Sequence, residues 1–195
     1  NARPMGICGS GILDAIAELY RVGAIDYRGT MVPDHPLVRT GEDGVPECVL
    51  APASETTTGR EIVITQKDVR EIQLAKAAIS SGWTILMSAT GTSLEEVDEV
   101  IVAGAFGTHI SLKSAVALGM LPPLPLDRFK QVGNAAGVGA KLALISKAER
   151  AKAKALAHEV EYMELMAYPT FHEEYFASIN FPKQALEEAA KRASA

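Results

Sequence analysis

The sequence is short of cysteine, aromatic rings and basic charge, and it has no long apolar run. Its two cysteines, Cys8 and Cys48, stand 40 positions apart. They form no CxxC pair, no iron–sulfur spacing and no disulfide framework, which points to a reducing, cytoplasmic setting. Aromatics make up 6% of the 195 residues and hydrophobic residues 48%, so the core must be built from Ala, Val, Ile and Leu. That apolar content excludes general disorder. Nineteen Lys and Arg against 24 Asp and Glu leave a net charge of −5, with no excess to neutralise nucleic-acid phosphates. No stretch approaches the roughly 18–20 apolar residues that span a bilayer, so no membrane role is expected. The opening Asn1-Ala2-Arg3-Pro4 is not a signal peptide. It lacks an initiator Met and any lead-in strand, which predicts a piece of a longer protein. His35, His109, His158 and His172 share no metal-ligand spacing, and no nucleophile–base arrangement stands out. No metal ligand and no catalytic residue is therefore assigned.

What is present reads as alternating strands and helices, an α/β class with a mixed sheet flanked by helices. Ser10 is placed to cap a helix with the stripe Ile12, Ile16 and Leu19, and Gly23 to stop it. Residues 27–65 form a Gly-, Pro- and Thr-rich insertion holding two strand-like runs, Glu47–Ala51 and Glu61–Thr65, joined as a long hairpin. Thr65-Gln66-Lys67-Asp68 is a capping box for a helix to about Ser81 that continues, kinked after Gly82, towards Thr90-Gly91. Val100-Ile101-Val102-Ala103 is wholly apolar, the pattern of a strand buried on both faces. Ser111 caps a helix ending at Gly119, Phe129–Val132 is a short strand, and a helix runs on through Ile145. Glu149–His158 reads as helix, Val160–Leu165 as an edge strand, and Phe171–Ile179 and Pro182–Ala193 as terminal helices.

Three glycine-rich turns precede helices: Gly6–Gly11, Gly104–Gly107 and Gly133–Gly139. Such turns let backbone N–H groups approach a ligand without a Cβ in the way, or simply let a helix pack closely on a strand. None is a Walker A loop or a Rossmann fingerprint. Gln73 and Lys76, three apart on one helical face, could meet a sugar hydroxyl and a phosphate or ring edge, or form a solvated stripe. Cys8, next to a helix start, reads better as a small buried residue than as a reactive thiol.

Gly6–Ala15, Ile64–Ile79, Val102–Gly107 and Val132–Ala140, in this order, resemble the C-terminal part of the reductive activators of corrinoid proteins. Those proteins are ferredoxin-fused ATPases of the acetate and sugar kinase, heat-shock chaperone and actin (ASKHA) superfamily. The resemblance implies a partial ribonuclease-H-like, actin-like lobe over residues 1–182 with a helical tail at 183–195. It implies that Gly104, Ala105, Phe106 and Gly107 line adenine and ribose, with Gln73 and Lys76 reaching the nucleoside from the opposing helix. Gly133–Gly139 would begin a close-packed helix at a lobe interface. The full-length protein would use ATP with Mg, carry a [2Fe–2S] cluster in an N-terminal domain absent here, and act as a homodimer on a corrinoid protein. The two phosphate-binding hairpins and the cluster cysteines of the family are missing from this chain, so the lobe alone is expected to be inactive. A second reading is a non-catalytic dimerisation or docking module for a corrinoid protein. A small-molecule kinase of the same superfamily is disfavoured, because no substrate-binding carboxylate stands out.

Overall fold

Thirteen residues, Gly9–Arg21, form helix α1, whose buried face carries Leu13, Ile16, Ala17, Leu19 and Tyr20. It starts one residue before the expected cap. Ser10 lies inside the helix, with its hydroxyl 3.2 Å from the Cys8 thiol, and Cys8 takes the cap position without a side-chain bond. Gly23 ends the helix at φ 81°, a conformation that favours glycine. The computed structural model describes residues 2–183, so the helix expected within Pro182–Ala193, and with it the tail, lies almost wholly outside the described residues.

The insertion folds as a three-stranded antiparallel sheet: β1 (Arg39–Thr40), β2 (Pro46–Ala51) and β3 (Ile62–Thr65), in that spatial order. The β2–β3 hairpin matches the sequence pattern, with Cys48 opposite Ile64 and a register shift between Val49 and Ala51. Strand β1 was not foreseen. Two residues carry no periodicity, and Arg39 is held by Glu47, at 2.7 Å, and by Glu61.

Helix α2 (Gln66–Thr90) follows directly. Both halves of its capping box form: the Thr65 amide donates to Asp68 Oδ2 at 2.8 Å, and the Thr65 hydroxyl accepts from the Asp68 amide. The helix runs through Gly82 as one element and ends at Gly91 in the left-handed region. Strand β4 (Val100–Ala103) then enters α3 (Ala105–His109) and α4 (Leu112–Ala117), the latter capped by the Ser111 hydroxyl. Strand β5 (Phe129–Gly133) pairs in parallel with β4 and leads into α5 (Ala135–Ile145). Helices α6 (Lys147–Glu159) and α7 (Phe171–Ala177) follow.

The α/β class stands, but among the described residues the strands divide into two small sheets rather than joining in one mixed sheet. Two sequence expectations are corrected. Strand β4 is not buried on both faces: Ile101 is 60% exposed, because β5 is its one strand neighbour here. Residues 160–164 form no strand: they pair with no other strand among the described residues, and Val160 and Tyr162 are exposed.

The core lies between α1, β3, the start of α2 and α4. Leu13, Ile16, Ile64, Val69, Ala115 and Leu118 are all within 1% of complete burial. Each of the larger side chains contributes about 1.5–3 kcal/mol by leaving water. Phe181, from the far end of the chain, closes this core with its ring 5.0 Å from that of Tyr20.

Candidate functional site

Parallel strands β4 and β5 end side by side at Ala103 and Gly133, and each passes at once through a glycine into a helix. In α/β folds, the space beyond the carboxyl ends of adjacent parallel strands is where ligands collect. The two turns are locked together by the Gly104 amide, which donates to the Gly133 carbonyl at 2.7 Å. Gly104 has φ 97°, and a Cβ built on it would meet nothing within 4 Å. Glycine is therefore required there by backbone conformation, and the same position leaves open space for a ligand.

Gly107 is a glycine for a different reason. A Cβ would come within 2.8 Å of Val102 Cγ1, so the small residue lets α3 lie against its own strand. From β5, the Gln131 amide nitrogen donates to the carbonyls of Gly107 and Ile110, at 2.5 and 2.9 Å, and fixes the far side of the turn. Sequence reading passed over Gln131, and the mixed strand Phe129-Lys130-Gln131-Val132 gives no local signal that sets it apart. The Thr108 hydroxyl donates to the Gly104 carbonyl at 3.0 Å and also borders Gly133.

The third glycine-rich turn reaches the same place. Phe106, 52% exposed, lays its ring edge over Gly9 at the start of α1, where a Cβ would meet it at 3.4 Å. All three turns singled out in the sequence thus converge on one surface. Asp14, within α1, carries a buried Oδ1 that has no hydrogen-bond partner among the described residues. It is a second polar group that sequence reading left unremarked. The Asn134 side chain accepts from the Gly137 amide at 2.9 Å and caps α5, whose residues are all at least partly exposed.

Gln73 and Lys76 are elsewhere. They are neither a solvated stripe nor open to the turns: they are 1% and 2% exposed beneath the segment that follows α7. The Gln73 amide nitrogen donates to the carbonyls of Arg28 and Ile179, and its oxygen accepts from Arg70 at 2.7 Å. The Lys76 ammonium donates to the Asn180 carbonyl at 2.5 Å and sits 5.6 Å from the centre of the Phe181 ring. Burial pulls its pKa down to about 8. Tyr20 adds a third tie, its hydroxyl donating to the Pro182 carbonyl at 2.9 Å. Residues 179–182 form a strap pinned across α2 and α1. The six residues expected at a nucleoside therefore fall into two places, Gly104–Gly107 at the turns and Gln73 with Lys76 under the strap.

Cys8 is exposed, not buried as expected. Bonding from Ser10, with backbone amides of the first turn of α1, holds its thiol pKa below the usual value. Among the described residues no cluster of His, Cys, Asp or Glu could hold a metal ion, and no helix is long and apolar enough to cross a membrane.

A family profile for the C-terminal domain of RACo, the ASKHA domain, matches residues 1–192. The chain belongs to that family. Among curated relatives of this RACo-type ASKHA domain, the corrinoid activation enzyme RamQ of Eubacterium limosum is 38% identical over 186 residues, 91% of this chain and 31% of that protein. The [Co(II) methylated amine-specific corrinoid protein] reductase of Methanosarcina barkeri is 22% identical over 184 residues, 93% of this chain and 30% of that protein. A solved reductive activator for corrinoid,iron-sulfur protein superposes with a TM-score of 0.85 at 38% identity, over 93% of this chain and 29% of its own. The chain thus spans about three-tenths of the length of each of these proteins, and its actin-like ASKHA fold agrees with the likeness read from the glycine-rich turns.

Proposed function

We propose that this chain is the C-terminal, nucleotide-responsive lobe of a protein that uses ATP to drive reductive activation of a corrinoid protein. The observation that carries the reading is the convergence of the Gly104, Gly133 and Gly9 turns around the exposed Phe106 ring. The open face of Gly104 gives a nucleoside backbone-close access, and Phe106 offers a flat apolar surface for a base. Gly104, Ala105, Phe106 and Gly107 would line adenine and ribose. Gln73 and Lys76 would join them only after the strap releases their side chains, a coupling between nucleotide and strap that fits a moving lobe.

The residues present fit half of a nucleotide site. Cys8 and Cys48, one exposed and one buried, do not fit an iron–sulfur cluster, so electrons and cluster would belong to a domain outside this chain. The reaction served would be the one-electron reduction of cobalt(II) to cobalt(I). Each ~59 mV of unfavourable potential costs tenfold in such an equilibrium, and ATP binding and hydrolysis would be coupled to conformational change in the lobe to offset it.

The exposed apolar residues of α5, with Leu144 at 76% and Ile145 at 79%, favour a second reading: a dimerisation or docking module that contacts the corrinoid protein and contributes little to nucleotide binding. Nucleotide titration of the full-length protein separates the two. Under the first reading, Phe106→Ala weakens ATP binding by about tenfold, as loss of a stacking surface does, and slows ATP-dependent formation of cobalt(I). Unchanged ATP affinity in that variant, with corrinoid-protein association lost on Ile145→Asp, would favour the second.

A further inference from the structure

A cavity of about 910 Å³ is bounded by α1, α2, α4, the proline-rich link 121–126 and the strap. No residue from 104 to 107 lines it. We propose that this cavity binds a small amphiphilic anion, a carboxylate or phosphate carried on an apolar body.

The argument begins with Lys76. An ammonium this deeply buried is costly unless it is paired, and no carboxylate lies within 4 Å of it among the described residues. Among the described residues its one hydrogen bond goes to a neutral carbonyl, Asn180, which leaves two of its three N–H donors for a ligand. Lys76 lines the cavity from α2, and Lys113, exposed, lines it from α4. Arg21 and Glu18 also border it but neutralise one another at 2.6 Å. Among the described residues the cavity therefore presents two cations with no anion to match. A bound anion would supply the missing counter-charge as a charge-assisted bond.

Apart from Ser80, Ser114, Ser178 and Asn180, the remaining lining is mostly apolar, led by Tyr20, Trp83, Leu121, Leu126 and Phe181. The Tyr20 hydroxyl and the Trp83 indole N–H are already spent on the carbonyls of Pro182 and Met120. These rings offer only their faces, which suit a hydrocarbon body. The volume is within the range of small-molecule sites, roughly 300–1,000 Å³.

Decanoate and 1-decanol are suitable probes because they share an apolar body and differ in head charge. Calorimetric titration of the full-length protein should show decanoate binding about tenfold or more tightly than decanol. Lys76→Met, which keeps the length and apolar stem, should abolish that preference while leaving decanol binding in place. Ala117→Phe, which fills the cavity from α4, should abolish both, and carries the test where Lys76→Met does not fold. A brominated fatty acid should quench Trp83 fluorescence in wild type and lose that quenching in Ala117→Phe, with Trp83→Phe as the blank. Equal affinity for the two probes, no binding at millimolar decanoate, or a preference that survives Lys76→Met would overturn the proposal. Binding seen only after removal of residues 184–195 would also overturn it, since the cavity would then be a seat for the chain's own end.

Discussion

Cys8 and Cys48 carry the same thiol in opposite surroundings. Cys8 is exposed, and bonding from Ser10 and the amides of the first turn of α1 favours its thiolate; Cys48 is 2% exposed in β2, where burial pushes its pKa up. Because the thiolate is the nucleophile, iodoacetamide at neutral pH should alkylate Cys8 and spare Cys48 in the folded protein, with both reacting in denaturant. Peptide mass spectrometry reads the outcome directly. Lys76 and Tyr20 set a second test at this scale. Lys76 has a folded pKa of about 8 against an ordinary 10.5, so between those values the unfolded chain binds more protons and stability rises with pH. Tyr20 is held up at about 12 by burial, with Asp26 adding to it. Its contribution is complete below pH 10 and is lost as pH rises from 10 towards 12. Wild type should therefore gain thermal stability from pH 8 to pH 10 relative to Lys76→Met, with folding releasing up to one proton, and the difference should level off above that while both proteins lose stability as Tyr20 ionises. A flat difference between the two proteins across that window would contradict the burial argument.

Individual elements show which signals were legible before the fold was seen. The capping box at Thr65 and Asp68, the Ser111 cap, and the hairpin of β2 with β3 rest on residues within a few positions of one another, and the structure has them all. Thr65→Ala should remove one half of that box and cost about 1 kcal/mol in urea unfolding at unchanged m-value. What was not legible depends on distant partners. Gln73 and Lys76 are polar residues on a helix whose burial comes from carbonyls about a hundred residues later, and no local pattern encodes that. The alternation of 160–165 promised a strand, but a strand needs a neighbour, and the alternation alone says nothing about one. At the site the reverse holds. Glycines at 9, 104, 107 and 133 were visible as a class, while their separate tasks became distinct only in three dimensions: an open approach at 104, a close contact with Val102 at 107, and a seat for the Phe106 ring at 9.

For the molecule as a whole, the two-stranded parallel sheet of β4 and β5 is the least self-sufficient part. Ile101 and Val132 are exposed on it, as are Val138 and Leu142 on α5 beyond it, and two strands with an uncovered face are marginal in water. Amides of 100–103 and 129–133 should exchange hydrogen faster in the isolated chain than in the full-length protein, while those of α1 and the first turns of α2 should differ little. Equal protection in both would mean that nothing further packs on this sheet. The strap has a consequence of its own. Gln73, Lys76 and Tyr20 all grip main-chain oxygens, and the Phe181 amide in turn donates to the Tyr27 carbonyl. The fastening therefore reads spacing rather than side-chain identity. Ser178, Ile179 and Asn180 can drift to other residues with little loss, whereas one residue inserted or deleted between Ala177 and Phe181 would throw every clasp out of step at once.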